Sequence, residues 1–144
     1  MLVRSLRSTD VAAARGLLQQ LGYAISEAEL AERIDRVTAS ETHFAAVAED
    51  GDAVVGLIHA FERPALEKPH AVLVQSLVVD QAVRQSGVGR LLLGVVEEWA
   101  RGRGLRHIVL YTRVERAGAH SFYERLGYDK LATSDLLGKP VEGG

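Results

Sequence analysis

Residues 78–101 have the sequence VVDQAVRQSGVGRLLLGVVEEWAR, which predicts the end of a β-strand, a turn and one long amphipathic helix. The turn carries the pattern Arg84-x-x-Gly87-x-Gly89 immediately before the helix. The first amides of a helix lack partners within the helix, and the helix dipole adds partial positive charge at the same end. Two glycines in a loop that opens a helix therefore predict an anion site over residues 85–90.

The helix itself shows one apolar stripe at spacings of three and four residues, and this stripe is expected to face the core. Its members are Val88, Leu91, Leu92, Val95, Val96 and Trp99.

Taken alone, the two-glycine turn is equally typical of a purely structural connection between a strand and a helix. It lacks the Lys-Ser/Thr ending of a P-loop, which disfavours nucleoside triphosphate hydrolysis. It also lacks the third glycine of the dinucleotide-binding fingerprint, and three antiparallel-looking strands precede it in place of a βαβ unit. The pattern thus predicts a phosphate-binding loop without identifying the phosphate.

Composition limits the classes of function. The chain has 144 residues, of which 47% are hydrophobic and 25% charged, and this predicts one globular domain over residues 1–140 with a frayed tail at 141–144. The formal net charge of −2 lacks the positive footprint of a nucleic-acid-binding protein. The absence of cysteine excludes disulfides, thiolate metal sites and a cysteine nucleophile. With no signal-peptide-like or membrane-spanning apolar run, a cytoplasmic protein is expected.

The predicted elements follow the order β-α-α-β-β-β-α-β-α-β, which is typical of an α/β protein built on a mixed sheet. Asp50-Gly51 predicts a hairpin turn between two central strands, and the nearly continuous apolar run at 71–79 suits a central strand covered on both faces. Thr9 or Asp10 is the candidate cap of the first helix, and Ser26 followed by Glu29 has the spacing of a capping box at the second. Because a helix separates the strand at 71–79 from the next one, these two strands are expected to be parallel. The predicted strands are 2–6, 43–48, 53–61, 71–79, 107–111 and 128–137, the last as one strand or two short ones, and the predicted helices are 9–21, 26–39, 88–101 and 118–126.

Two segments together resemble the GCN5-related N-acetyltransferase (GNAT) family. Residues 77–93, LVVDQAVRQSGVGRLLL, are similar to its acetyl-CoA motif, Q/R-x-x-G-x-G/A after a strand. Residues 119–128, AHSFYERLGY, are similar to its A-x-x-F-Y-x-x-x-G-F/Y element. The resemblance extends over essentially the whole chain and implies a GNAT-like α/β fold. That fold is a mixed, mostly antiparallel central sheet flanked by about four helices, with one parallel strand pair around the CoA site.

The resemblance also implies roles for individual residues, with acetyl-CoA as co-substrate and no metal. Strand backbone at 77–79 would pair with pantetheine, amides of 85–90 would hold the pyrophosphate, and Arg84 and Arg90 would add charge. Tyr123 matches the family tyrosine that protonates the departing thiolate, whose pKa of about 8.5 makes a nearby phenol useful. The implied cofactor-binding residues are Leu77, Val78, Val79, Arg84, Gln85, Ser86, Gly87, Val88, Gly89 and Arg90.

Two positions depart from the family pattern. The strand glutamate that serves many relatives as general base aligns with Leu73, and no carboxylate lies between residues 71 and 79. The asparagine that many relatives carry ahead of the tyrosine helix is missing from residues 112–116, where Arg113 or Arg116 is the alternative contact to a CoA phosphate. The candidates left for the base are His59, Glu62, Glu67, His70, or a chain of water molecules.

The leading hypothesis is an N-acetyltransferase that moves an acetyl group from acetyl-CoA to an amine by direct attack in a ternary complex. The alternative is a catalytically weak or inactive acyl-CoA-binding or regulatory module of the same fold. The acceptor is open between a small-molecule amine and a protein amino group. Neither nucleic acid nor a membrane is expected as a partner, and a homodimer is among the assemblies that the resemblance allows.

Overall fold

The computed structural model describes residues 1–112 and 117–142, and the chain divides into two compact units, Met1–Tyr111 and Thr112–Gly144. The second unit contains helix α4 (Ala117–Arg125), and the prediction of one domain over residues 1–140 stays a prediction. The first unit contains β1 (Leu2–Ser5), α1 (Val11–Leu21), α2 (Glu27–Thr38), β2 (His43–Asp50), β3 (Ala53–Arg63), β4 (Ala71–Val79), α3 (Val88–Gly102) and β5 (Ile108–Leu110).

The sheet has the strand order β1-β2-β3-β4-β5. Its first four strands pair antiparallel, and β5 pairs parallel with β4. The hairpin between β2 and β3 turns at Gly51, whose φ of 62° is the left-handed conformation that such turns require. The predicted mixed, mostly antiparallel sheet with four helices and one parallel pair is therefore confirmed.

Helices α1 and α2 cover one face of the sheet. Helix α1 ends at Gly22, and α2 begins with the predicted capping box, in which the Glu29 amide donates to Ser26 Oγ at 3.1 Å. The two helices and the sheet enclose a cluster of buried side chains: Leu6, Ala14, Leu17, Leu30, Ile34, Val47, Leu57 and Val78.

A buried ion pair ties β1 to the start of α1. Arg4 donates through both terminal nitrogens to the carboxylate of Asp10, at 2.8 Å each, and through Nε to Glu49. Asp10 is 6% exposed, and the hydrogen bond from Arg4 lowers the pKa of this carboxyl although burial opposes the shift. Asp10 was a predicted helix cap, but its carboxylate caps no amide of α1 because it is turned to Arg4.

Helix α3 packs on the opposite face, where Gly56 of β3 allows a close approach. A Cβ added to Gly56 would lie 2.8 Å from Val88 Cγ1 and 2.9 Å from Leu92 Cδ1. The predicted apolar stripe was wrong in part, since Leu91 is 42% exposed whereas Leu93 is buried. Because residues 91–93 are all leucine, the apolar pattern is compatible with two orientations of the helix about its axis. Periodicity alone therefore does not determine which of these leucines face the sheet.

The predicted strand at 128–137 was also wrong, because residues 128–142, all of them described, contain no strand. Leu131 and Leu136 are exposed in this segment. A strand needs a partner for its backbone groups, and the described part of the second unit offers none. Among the described helices, none is long and apolar enough to cross a membrane.

Candidate functional site

One edge of β4 is paired over only part of its length, and the space beside its unpaired part is called the gap. Strand β5 pairs with β4 only from Val72 to Val74. Immediately beyond, the register between β3 and β4 shifts, so that Gln75 is an extra residue between two paired ones and forms a β-bulge. From Ser76 onward this edge of β4 has no strand partner among the described residues.

The bulge decides which backbone groups face the gap. The Asp80 amide donates to the Val55 carbonyl of β3 at 2.8 Å. Because backbone groups alternate along a strand, the amide of Val78 also faces β3, and those of Leu77 and Val79 face the gap. Of the three positions predicted to pair with pantetheine, Leu77 and Val79 thus present backbone, while Val78 buries its side chain in the core.

Hydrogen bonds hold the loop between β4 and α3 in place. It contains a short 3-10 helix, Gln81–Val83, and the Gln81 amide donates to Gln20 Oε1 of α1 at 2.9 Å. Further on, Ser86 Oγ donates to the Val83 carbonyl. The loop is therefore shaped by contacts to the rest of the first unit and within itself.

Two residues of this loop have left-handed backbone conformations. Gly87, which precedes α3, has a φ of 92°, and Gln85 has a φ of 67°. Glycine adopts this conformation freely, whereas for Gln85 it costs on the order of 1–2 kcal/mol. Strain of this kind persists where the surroundings fix it, and it is concentrated at functional sites.

The loop ends in consecutive backbone amides that have no acceptor inside α3. The first backbone bond of α3 runs from the Leu91 amide to the Gly87 carbonyl at 3.0 Å, so the amides of residues 88–90 have no acceptor inside the helix. Exposed Arg84 and Arg90 flank them, and Arg84 Nε donates to the Val79 carbonyl at 3.3 Å. Free amides, a helix N-terminus and two cations suit a diphosphate. The chain's own residues thus fit the pyrophosphate of CoA next to the gap.

Tyr123 lies in the second unit. Its half-buried ring meets Phe122 and Tyr128 edge to face, with centroids 5.1 and 5.8 Å away. The Tyr128 amide donates to the Tyr123 carbonyl at 3.0 Å, and Gly127 ends the segment with a φ of 91°. The ring is thus held on two sides, and its role as an acid stays a prediction. Arg113 and Arg116, named above as alternative contacts, lie outside the described residues.

The structure separates the candidate bases. Glu62 pairs with Arg103, and its carboxylate lies 3.6 Å from His70 Nε2. Glu67 is exposed in the loop between β3 and β4. His59 differs from all of these, since it is half-buried and stacks on a second histidine, His43.

Sequence reasoning named His59 but missed its pairing with His43. Continued regularly from Asp50↔Ala53, the β2–β3 hairpin would place residue 43 opposite residue 60 and the two histidines on opposite faces. A register shift after Ala48 places His43 opposite Phe61 instead. The two histidines thereby come to share a face, and no sequence signal marks that shift.

Comparison with known proteins places these features in a family. A model of the acetyltransferase (GNAT) family matches residues 9–128. N-alpha-acetyltransferase 80 of Mus musculus is 38% identical over 93 residues, which are 65% of this chain and 26% of that protein. The chain thus spans about a quarter of that relative's length.

One further relative and one solved structure cover more of the chain. An aminoglycoside N(6')-acetyltransferase type 1 of Stenotrophomonas maltophilia is 31% identical over 103 residues, 69% of this chain and 67% of that protein. The solved structure of AAC(6')-Iy in complex with the bisubstrate analogue CoA-S-monomethyl-acetylneamine superimposes with a TM-score of 0.86. That likeness covers 97% of this chain and 98% of the other at 19% identity, and it concerns the fold.

Proposed function

This chain belongs to the acetyltransferase (GNAT) family, and from that premise we propose that it transfers an acetyl group from acetyl-CoA to an amine. The observation that carries the proposal is the strained loop at the start of α3, whose free amides lie beside the open edge of β4. A phosphate-binding loop alone has many uses. Beside a strand edge with free backbone groups, it matches a ligand that joins a diphosphate to an extended amide chain.

The chain's own residues divide the binding of acetyl-CoA among them. The amides of 85–90, with Arg84 and Arg90, would hold the pyrophosphate. Leu77 and Val79 would pair with the pantetheine amides as an added strand would. For this pairing Arg84 would have to release the Val79 carbonyl or share it, since Arg84 Nε donates to that oxygen in the ligand-free protein.

The chemistry needs an activated acetyl group, which acetyl-CoA supplies as a thioester. The amine attacks it directly in a ternary complex, and the backbone amides at the end of β4 are placed to stabilise negative charge on the thioester oxygen. Tyr123 would donate a proton to the leaving thiolate. We also propose that residues 1–140 form one acetyltransferase domain.

The acceptor is proposed as a class. Similarity to an aminoglycoside acetyltransferase favours a small-molecule amine as acceptor. Similarity to an Nα-acetyltransferase is the reason to test a protein amino group as well. A cytoplasmic location and a homodimer both stay predictions.

The test is thiol release from acetyl-CoA across a panel of aminoglycosides, polyamines, amino acids and peptides. Because the chain has no cysteine, every thiol detected comes from CoA. Transfer to at least one amine is expected. Acetyl-CoA at about 100 times its Kd should also stabilise the protein by about 2.7 kcal/mol, seen as a higher melting temperature.

The outcomes separate the two hypotheses of the sequence analysis. Stabilisation by acetyl-CoA without transfer to any amine would favour the inactive acyl-CoA-binding module. No stabilisation and no transfer would refute both.

A further inference from the structure

We propose that His59 and His43 form a proton relay that takes the proton from the substrate amine before it attacks. This inference rests on the proposed function and names the base that the family's usual strand position, here Leu73, does not supply. His59 receives the proton, and His43 is the positioning residue that takes up the charge.

The two rings are joined by a direct contact. Nδ1 of His43 lies 2.9 Å from Nε2 of His59, a hydrogen-bond distance. Which of the two nitrogens donates depends on the tautomers of the rings. The rings stack at a centroid distance of 5.1 Å, and Phe61 stacks on His43 at 5.0 Å. The apolar neighbour and the mutual stacking hold both imidazoles in fixed orientations.

The pair lies one strand away from the gap. His59 is paired with Ser76, the residue between the bulge and Leu77. Neighbouring strands are about 4.8 Å apart, so a ligand added beside β4 would run about 10 Å from the backbone of His59. A histidine side chain and one water molecule, or the amine itself, can cover that distance.

The pair lies on the same face of the sheet as Leu73, the position where many relatives carry the base. Paired residues share a face, which places His43, His59 and Leu73 on the face covered by α1 and α2. Glu62 is the next residue after Phe61 and therefore points to the other face, where it binds Arg103. Of the sequence candidates in β3, His59 alone is on the same face as Leu73.

Charges around the pair leave His59 as a neutral acceptor. Burial lowers the pKa of His59 to about 4, and the charge that His43 carries once protonated is the second cause of this shift. On the strands, Glu49 and Arg63 share the face, and Glu49 is bound by Arg4. The charged side chains of the covering helices are Arg15, Glu27, Glu29, Glu32, Arg33, Asp35 and Arg36. No charge in the described chain except that of His43 shifts the pKa of His59.

Because its pKa is lowered, His59 alone would be a weak base for an ammonium group, and passing a proton on to His43 compensates for this. The ammonium proton moves to the free ring nitrogen of His59 while the proton on its Nε2 passes to Nδ1 of His43. His59 stays neutral throughout, His43 becomes an imidazolium, and the amine keeps its electron pair for attack. Since the positive charge ends on His43, the buried ring of His59 never has to carry it.

The test compares His59→Gln with wild type on the amine that turns over best. Glutamine keeps a hydrogen-bonding group opposite His43 but cannot accept a proton at neutral pH. We expect kcat to fall by about 10²–10⁴-fold, the usual contribution of a general base, with the KM for acetyl-CoA unchanged. An acceptor that is already neutral at pH 7, such as hydroxylamine, should lose much less.

Two further variants sharpen the comparison. His43→Gln should slow transfer about as much, because it removes the ring that takes up the charge. The acid limb of the remaining rate should move to higher pH, because without a charged His43 the pKa of His59 rises. His107→Gln is the matched control, since the His107 side chain is exposed and the substitution leaves the backbone bond from Val72 to the residue 107 carbonyl in place. It should leave both kinetic constants as they are.

A readout independent of turnover is the ¹⁵N spectrum of the imidazoles in the free protein, which has five histidines. We expect the ring of His59 to stay neutral down to pH about 4 and to share a hydrogen-bonded proton with His43. The absence of a shared proton between Nδ1 of His43 and Nε2 of His59 in this spectrum would overturn the relay even if no variant folds.

The kinetic outcomes distinguish the two proposals. Wild-type protein that acetylates no amine would refute the proposed function together with the relay. Active wild type with an equally fast His59→Gln, or with a higher amine KM at unchanged kcat, would refute the relay alone.

Discussion

Gly56 lies where the first turn of α3 packs against the sheet. Gly56→Ala should lower both the stability of the protein and its affinity for acetyl-CoA. The new Cβ would lie under 3.0 Å from methyl groups of Val88 and Leu92, and both of these side chains are fully buried. The Val88 methyl cannot turn away easily, because a β-branched side chain on a helix has one strongly preferred rotamer. The clash must therefore be relieved by moving the helix or the strand.

The size of the effect follows from two opposing terms. Overpacking of a filled core costs about 1–3 kcal/mol. Replacing glycine in a strand by alanine recovers roughly 0.5–1 kcal/mol of backbone entropy. The net loss of about 1–2 kcal/mol corresponds to a fall of roughly 2–8 °C in the melting temperature of a chain of this length. Because Val88 begins the anion site, acetyl-CoA affinity should weaken in the same variant.

Gly94→Ala is the matched control. It changes the same residue type, in the helix that packs on Gly56, but an added Cβ there meets nothing within 4 Å. Helix propensity predicts a gain of up to about 1 kcal/mol. Thermal unfolding and titration calorimetry with acetyl-CoA would measure both variants. If Gly56→Ala melts and binds as wild type does, the close approach of α3 to β3 is not what positions the loop.

Three other variants test separate parts of the structure. Gly87→Val places a β-branched side chain at a φ of 92°, so acetyl-CoA affinity should fall before kcat does, and a binding isotherm equal to wild type would count against the loop assignment. Tyr123→Phe should lower kcat and leave acetyl-CoA affinity nearly intact, and steady-state kinetics showing the reverse would contradict the acid role. Asp10→Ala should cost about 1.5–3 kcal/mol in urea unfolding, because Arg4 loses its most buried partner although Glu49 still pairs with it, whereas the exposed Arg36→Ala should cost under about 1 kcal/mol. Since the pKa of Asp10 is lowered by folding, its stabilisation is complete above the unfolded pKa of about 3.9 and is lost as pH falls further, so wild type and Asp10→Ala should converge in acid.

Local sequence signals predicted most of the fold. The capping box at Ser26, the Asp50-Gly51 turn and the continuous apolar run of β4 each act over a few residues, and each was confirmed. The strand predicted at 128–137 depended on a partner elsewhere in the chain. Apolar character alone could not supply that partner.

Two register shifts explain what was missed at the site. The shift after Ala48 brings His43 and His59 to one face, and the shift at Gln75 decides which amides face the gap. A bulge depends on how two whole strands pair, so the residues next to each shift do not predict it. Gly56 could have been found, because a glycine inside a strand often indicates close approach by another element.

The bulge at Gln75 also bears on how this site is inherited. A strand repeats every two residues, so one extra residue exchanges its two edges for everything that follows. Leu77 and Val79 serve the gap through main-chain groups, which every amino acid except proline carries in full. Their side chains can drift without loss of contact, whereas loss of the bulge at constant chain length would turn both amides toward β3. Selection at this site therefore acts on the backbone geometry of β4. Substitution counts at residues 77 and 79 understate how strongly the site is constrained.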